Sequence, residues 1–262
     1  MKTILQFLLF IFLTIITQIG GLVLLLTHGI HRKWNANRRI PFSLLFLGLY
    51  LLMTLLVIPL LAPIIGREPV EHSQQIRPTN YMTVLLNRNY VKSRLNEVLQ
   101  KAANELANEG IQIRYLDANF PFIDEFPLLP HLSHDDGEKI DLSFVYINKK
   151  GDVSKQQKSR SGYGVFENPK KGESNQPKTC KAKGAFQYDF PKYLTFGSIN
   201  KDIHFSEKHT KLLVQAFLKQ KQVGKIFIEP HLKSRLNLTS NRVRYQGCHS
   251  VRHDDHIHVQ LK

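Results

Sequence analysis

Two long apolar runs open the chain, and a region of mixed apolar and polar positions follows them. Thr3–Thr27 and Ile40–Gly66 contain no charged residue. Each run exceeds the roughly 20 apolar residues that a helix needs to cross the bilayer core. A cleavable signal peptide is the alternative for the first run, but its apolar stretch is typically about 7–15 residues long and ends at a small-residue cleavage site. We therefore predict two transmembrane helices, at about 3–27 and 40–66.

The connection between the two runs, residues 28–39, is basic. It carries Arg32, Lys33, Arg38 and Arg39 and no acid. Short loops rich in lysine and arginine stay on the cytoplasmic side of a membrane. The sequence thus predicts a helical hairpin, 1–66, that leaves the amino terminus and everything after Gly66 outside the cytoplasm.

The rest of the chain is predicted to form a linker, 67–89, and an exported domain, 90–262, in which apolar positions recur at the short spacings of helices and strands. Apolar residues recur at helical spacing over Tyr90–Gly110, and Ser206 can cap a second helix that ends near Gln222. Four stretches have the composition of strands: "IQIRYLD", "KIDLSFVYIN", "KIFIE" and "HIHVQL". Strands and helices without regular βαβ alternation predict an α+β fold with an antiparallel sheet and flanking helices. Residues 149–186, rich in Lys, Gly, Ser and Gln, are expected to form a long surface loop.

Charge and cysteine content indicate which partners and which redox compartment suit this domain. Six of the 36 lysines and arginines lie in residues 1–67, which leaves 30 bases against 21 acids in 68–262, a net +9. Such a surface favours anionic partners, namely phospholipid headgroups, cell-wall polymers or nucleic acid, or it serves solubility alone. Cys180 and Cys248 are the only cysteines, and in an oxidising compartment we expect them to form a disulfide.

The chain ends on a cluster of histidines and acids, "HDDHIHVQLK". Alternate side chains of a strand point to the same face, so His256 and His258 are expected on one face of the last strand. His253 precedes the strand together with Asp254 and Asp255, where a loop can bend a side chain back over it. This cluster is either a solvated tail or half of a metal site.

A second cluster, "HLSHDDGEKIDL", is a candidate for the other half of such a metal site. His134 lies seven residues before Asp141, and Gly137 between them supplies a turn that lets both side chains meet. Imidazole nitrogen and carboxylate oxygen suit Zn²⁺, and a catalytic zinc uses three protein ligands with water in the fourth position. His134, Asp141 and one histidine of the final H-x-H supply three such ligands.

These segments carry a family resemblance. "HLSHDDGEKIDLSF" resembles the S-H-x-x-G-x-x-x-D segment of the penicillin-insensitive murein endopeptidases, and "VGKIFIEPHLKSRL" and "HDDHIHV" resemble later segments of that family in the same order. These enzymes are LAS-type zinc peptidases, like the lysostaphin-like endopeptidases and the D-Ala-D-Ala metallopeptidases. The resemblance covers roughly Pro130–Asp141 and Val223–Val259, less than half of the exported domain.

The resemblance implies one zinc ion per chain, with His134, Asp141 and His258 as ligands. It implies that His256 is the catalytic histidine, with His253 and His131 lining the site, and that the LAS-type fold surrounds them. The implied reaction is hydrolysis of peptide cross-links in peptidoglycan by metal-activated water. The predicted protein is thus a zinc metallopeptidase in the cytoplasmic membrane of a bacterium, with its carboxyl-terminal domain on the periplasmic side and no nucleic-acid partner.

Several assignments outside the ligand set stay open at this point. His256 is a better proton carrier than Asp255, because imidazole titrates near neutral pH. Asp254 or Asp255 can instead hold a ring N–H of a histidine. His231 and His249 are expected on the surface. The competing functions are an inactive cell-wall-binding or scaffold protein on the same fold, and an exported metal-dependent nuclease.

Overall fold

The computed structural model describes residues 2–34 and 40–262 of the chain. Its contacts divide into two compact units. The first unit consists of Met1–Val70, Met82–Ser93 and Asn119–Gly137. The second consists of Glu71–Tyr81, Arg94–Ala118 and Glu138–Lys262. Each unit is therefore built from several separate stretches of sequence.

Helices and strands alternate irregularly along the described residues, as expected for a mixed α+β protein. The α-helices are α1 (Lys2–Thr17), α2 (Gly20–Trp34), α3 (Phe42–Leu52), α4 (Ile58–Leu61), α5 (Met82–Leu85), α6 (Ser93–Leu106), α7 (Gln176–Ala182), α8 (Glu207–Lys219) and α9 (Pro230–Arg235). The strands are β1 (Glu68–Pro69), β2 (Ile76–Pro78), β3 (Tyr90–Val91), β4 (Ile113–Tyr115), β5 (Lys139–Ser143), β6 (Tyr146–Ile147), β7 (Val153–Ser154), β8 (His204–Phe205), β9 (Val223–Phe227), β10 (Val243–Arg244) and β11 (His256–Leu261).

The prediction of two transmembrane helices is wrong for the first apolar run. Instead of one helix over 3–27, the chain forms α1 and α2, which are separated at Gln18, a residue with a φ of 64°. At about 1.5 Å per residue, the 16 residues of α1 rise only about 24 Å, less than the roughly 30 Å of a bilayer core. In the described residues, Phe42–Ile65 is the one helix long and apolar enough to cross a membrane.

The second apolar run forms this long helix without interruption. It begins as α3, passes through a π-helical turn at Met53–Val57, continues as α4 and ends as a 3₁₀ turn at Ala62–Ile65. Gly66 then adopts a left-handed conformation, with φ at 79°, which ends the helix. The predicted basic loop is helical as far as Trp34, and its residues 35–39 lie outside the described residues.

Close packing of α1 on α2 explains why the first run folds back on itself. A Cβ atom added at Gly20 would lie 2.6 Å from Thr17 Oγ1, and one at Gly21 would lie 2.1 Å from Thr14 Oγ1. Only glycine lets the two helices approach so closely just after the turn. Two hydrogen bonds stabilise the turn, since Gly20 N donates to Thr17 Oγ1 and Phe122 N donates to Gln18 Oε1, both at 2.8 Å.

Arg67 organises the rest of the first unit. Its buried guanidinium donates to the backbone oxygens of Phe120 and Asp135 and forms an ion pair with Asp124. These bonds hold the stretch Asn119–Gly137 in a fixed path, and this stretch contains His131 and His134. A small apolar core of Ile19, Val23, Ile58, Ala62 and Tyr90 lies in the same unit.

The second unit is built on a six-stranded sheet with the order β10-β9-β11-β5-β4-β2. Its central strand β11 is antiparallel to both β5 and β9, as predicted, whereas the edge pairs β10–β9 and β2–β4 are parallel. The sheet is therefore mixed rather than purely antiparallel. A separate three-stranded sheet has the order β7-β6-β8.

Two helices of the second unit follow the predicted helical segments, with shifts at their ends. The first predicted helix starts later than expected, because Tyr90–Val91 is a strand, and α6 then buries Leu95, Val98, Leu99, Ala102 and Leu106. Gly110 follows in a left-handed conformation. Ser206 caps α8 through a bond from His209 N, as predicted. The predicted disulfide between Cys180 and Cys248 is present.

Candidate metal centre

The histidine-rich end of the chain lies in the interior of the second unit. From Arg252 to Val259 every residue is at most 4% exposed. A solvated tail would leave these charged side chains in water, whereas burial of so many ionisable groups requires that each has a polar partner. The cluster is therefore a built site and not a tail.

The register of the central strands brings three of the predicted site residues together. On β11, His258 lies directly opposite Asp141 of β5, and its Nδ1 is 2.9 Å from Asp141 Oδ1. His256 is two positions earlier on the same face, with its Nε2 3.7 Å from Asp141 Oδ2. The ring of His253 lies 4.8 Å from that of His256. Alternation along one strand thus predicts this part of the site correctly.

His131 and His134 come from the stretch of the first unit that Arg67 holds. His134 N donates to His131 O at 3.0 Å, which closes a short turn. Both side chains are buried, and the two rings meet edge to face at 5.6 Å. The turn therefore presents two imidazoles from positions only three residues apart.

A buried group of His131, His134 and Asp141 could bind a metal ion. One ligand atom from each residue lies within 4.8 Å of the others. Two imidazole nitrogens and a carboxylate oxygen are a common donor set for divalent metals. The group contains the predicted ligands His134 and Asp141, together with His131, which was expected only to line the site. The third predicted ligand, His258, lies against Asp141 in the second unit.

Asp255 holds the predicted catalytic histidine. Its Oδ1 is 2.5 Å from His256 Nδ1, so the Nε2 atom of that ring faces Asp141. Burial lowers the pKa of His256, but the negative charges of Asp141 and Asp255 outweigh it and raise the pKa to about 9. The ring is therefore a strongly basic group at a site shared with a potential metal ligand.

Asp254 has a different partner from Asp255. Arg252 donates to its two oxygens from Nε and Nη2, at 2.6 and 2.5 Å, and also donates to Asp189 at 2.9 Å. Such a bidentate pair is among the strongest hydrogen-bonded arrangements in proteins. Of the two acids that sequence reasoning left open, Asp255 therefore contacts His256, whereas Asp254 pairs with Arg252 and lies 3.6 Å from His231 Nε2.

Two further buried groups were missed or misplaced by sequence reasoning. His231 was expected on the surface but is fully buried, with its Nε2 2.8 Å from Glu167 O, and burial lowers its pKa. Glu229 accepts from His253 N at 3.1 Å, and burial raises its pKa. Glu229 ends the "KIFIE" strand and His231 follows it after Pro230. This position at the end of a strand is the one local signal that could have predicted a role for them in the site.

Sequence reasoning also missed Tyr163, because this residue lies in the stretch 149–186 that was predicted to be a surface loop. Its hydroxyl donates to Asp141 Oδ2 at 2.9 Å and lies 3.2 Å from Asp117 Oδ2. The segment around it, "SGYGVF", has no hydrophobic periodicity that would predict burial. Only the two glycines that flank the tyrosine indicate a constrained backbone.

These observations define a mixed α+β protein with a buried histidine and aspartate group that could hold a metal ion. No protein-family model matches the chain, and no curated protein matches it at a significant level.

Proposed function

We propose that this protein is a membrane-anchored zinc metallopeptidase that hydrolyses peptide cross-links of peptidoglycan. The observation that carries the proposal is the pairing of His258 with Asp141 across two buried strands, with His256 beside them and His134 in a group with Asp141. A metal ligand set next to an oriented imidazole is the arrangement that metal-assisted hydrolysis requires. The resemblance to murein endopeptidases supports peptidoglycan as the substrate.

His134, Asp141 and His258 would hold the zinc ion, with His131 able to replace one of them. Zinc bound there would act as a Lewis acid on the scissile carbonyl and make hydroxide available near pH 7. His256 would give a proton from Nε2 to the developing oxyanion or the leaving amine, because its Nδ1 is held by Asp255 and its pKa is raised to about 9. The carboxylate thereby fixes both the ring orientation and the tautomer of the histidine.

The position of the enzyme in the cell follows from three features. Phe42–Ile65 would cross the cytoplasmic membrane, and the basic residues of 28–39 would stay on its inner side. A disulfide between Cys180 and Cys248 suits the oxidising periplasmic side of a bacterium. The net +9 of residues 68–262 favours an anionic wall polymer.

Zinc content and cleavage of cross-linked muropeptides by the full-length protein in detergent test the proposal. We expect about one zinc per chain and cleavage in the wild type. We expect His258→Ala to reduce cleavage by at least about 10²-fold, since it removes one of the three proposed metal ligands. His249→Ala is the matched control, because His249 is an exposed histidine of the same terminal region.

Each other result would contradict a specific part of the proposal. Zinc without cleavage would point to the binding or scaffold protein, and DNA cleavage that depends on His258 would point to the nuclease. Absence of zinc from the wild type would contradict the metal centre itself.

A further inference from the structure

A segment of the long loop, Ser159–Asn168, lies against the buried site of the second unit. At its centre Tyr163 is only 6% exposed, and its ring meets that of His256 edge to face at 5.1 Å. Its hydroxyl reaches two carboxylates, Asp141 Oδ2 at 2.9 Å and Asp117 Oδ2 at 3.2 Å. A phenol has a single O–H to donate, so the shorter distance identifies Asp141 as its main acceptor.

Two glycines fix the backbone on either side of this tyrosine. Gly162 and Gly164 both have positive φ angles, 90° and 81°. A Cβ atom at Gly162 would lie 2.0 Å from Leu116 Cδ2, and one at Gly164 would lie 2.3 Å from Pro191 O. No other residue type fits either position, so the tyrosine is held in one place.

The same segment also contacts the acid that orients the catalytic histidine. Gly164 N donates to Asp255 Oδ2 at 2.5 Å, while Asp255 Oδ1 lies 2.5 Å from His256 Nδ1. Further along, Glu167 N donates to Asp254 O at 2.6 Å, and Glu167 O lies 2.8 Å from His231 Nε2. Two successive residues of the segment, Tyr163 and Gly164, thus contact the two carboxylates on either side of His256.

We propose that Tyr163 is a positioning residue of the metal centre, an inference that rests on the proposed function. By donating to Oδ2 of Asp141, it would fix the rotation of the carboxylate that would hold the metal ion, while Oδ1 of the same carboxylate lies beside His258 Nδ1. Hydrogen bonds to ligating carboxylates set ligand orientation, and their loss typically weakens metal binding about 10–100-fold.

The first test compares Tyr163→Phe with Tyr193→Phe in the full-length protein. Tyr193 is the matched control because its side chain is 71% exposed. We measure the zinc dissociation constant by competition with a chelator, and the visible absorption of the Co²⁺ form, which reports the ligand geometry. We expect zinc binding about 10–100-fold weaker and a shifted Co²⁺ band in Tyr163→Phe, with both unchanged in Tyr193→Phe.

A second pair of variants keeps the hydroxyl and moves the segment. Gly164→Ala and Gly172→Ala impose similar backbone strain, since their φ angles are 81° and 90°, but a Cβ at Gly172 meets nothing within 4 Å. We expect weaker zinc binding only in Gly164→Ala. This pair decides the question if Tyr163→Phe does not fold.

Two outcomes separate this inference from the proposed function. Unchanged zinc affinity and an unchanged Co²⁺ spectrum in both Tyr163→Phe and Gly164→Ala would overturn the role of Tyr163 and leave the peptidase intact. A wild-type protein that binds no zinc would overturn both.

Discussion

The two units expose and bury opposite kinds of residue. In the first unit, large apolar side chains of the helices are at least half exposed, namely Ile4, Leu5, Phe7, Leu8, Phe12, Leu22, Leu25, Leu44, Leu47, Leu55, Leu56, Leu60, Ile64 and Ile65. In the second unit, the most buried stretch contains the ionisable residues from Arg252 to His258. Exposed apolar surface of this extent marks a surface that contacts a membrane or another protein. Under the proposed function, the exposed apolar side chains of these helices would face lipid, whereas the exposed side chains of the second unit would face water.

Two buried threonines of the first unit are satisfied within their own helices. Thr17 and Thr27 donate to backbone oxygens four residues earlier in their own helices, Leu13 O and Val23 O, both at 2.7 Å. Local pairing of this kind satisfies a hydroxyl without water, as a helix inside a bilayer would require. Buried arginines form long-range pairs in both units, Arg67 with Asp124 in the first and Arg252 with Asp189 in the second.

The largest expected effect comes from the disulfide of the second unit. Removing it with Cys180→Ser and Cys248→Ser should lower the free energy of unfolding by about 4 kcal/mol, because the bond closes a loop with a sequence separation of 68. Urea unfolding of the oxidised wild type and the double variant, both in detergent, measures the difference. Free thiols in protein taken directly from cells would contradict a periplasmic position of this unit.

A smaller effect tests the packing of the apolar helices in the first unit. Gly21→Leu should destabilise the hairpin of α1 and α2 by about 2 kcal/mol, since its side chain would overlap Thr14 and Phe10. Gly29→Leu is the control on the same helix, because a Cβ there meets nothing within 4 Å. Thermal unfolding in detergent compares the two. Equal melting temperatures for both variants would favour the single helix predicted over 3–27 and contradict the hairpin.

This hairpin shows where sequence reasoning fails in the first unit. Hydropathy reports that a run is apolar, and Thr3–Thr27 is apolar throughout. The turn depends instead on the approach of Gly20 and Gly21 to α1, a contact between residues that hydropathy treats alike. A window average cannot detect such a contact, so the run was predicted as one helix.

In the candidate metal centre, residues on strands could be predicted from the sequence, whereas a residue on an irregular segment could not. Period-two alternation was sufficient to predict that His256 and His258 share a face, and the strand register then pairs His258 with Asp141. Tyr163 could not be predicted in this way. It reaches the same carboxylate from an irregular segment whose path depends on tertiary contacts of its flanking glycines.

The smallest effect concerns an ion pair between the long loop and α9. Arg235 donates to Glu173 from Nε at 2.9 Å and from Nη2 at 2.5 Å, and this bond holds the pKa of the carboxyl at about 2, below its ordinary 4.5. Because the pKa is lower in the folded state, the pair stabilises the protein above about pH 4.5. That contribution is lost as the pH falls from about 4.5 to about 2.

Glu173→Gln should therefore lower the free energy of unfolding by about 0.5–1 kcal/mol at pH 7, and the difference should shrink towards zero near pH 2. Urea unfolding of the metal-free protein across this range measures it. Asp202→Asn is the control, since Asp202 and its partner Lys149 are 79% and 71% exposed and should contribute nothing measurable. If Asp202→Asn costs as much as Glu173→Gln, or if the Glu173 effect does not depend on pH, the long loop is not held to α9 by this pair. Its ordered path past the metal centre would then depend on other contacts of the loop, among them those of Tyr163, Gly164 and Glu167.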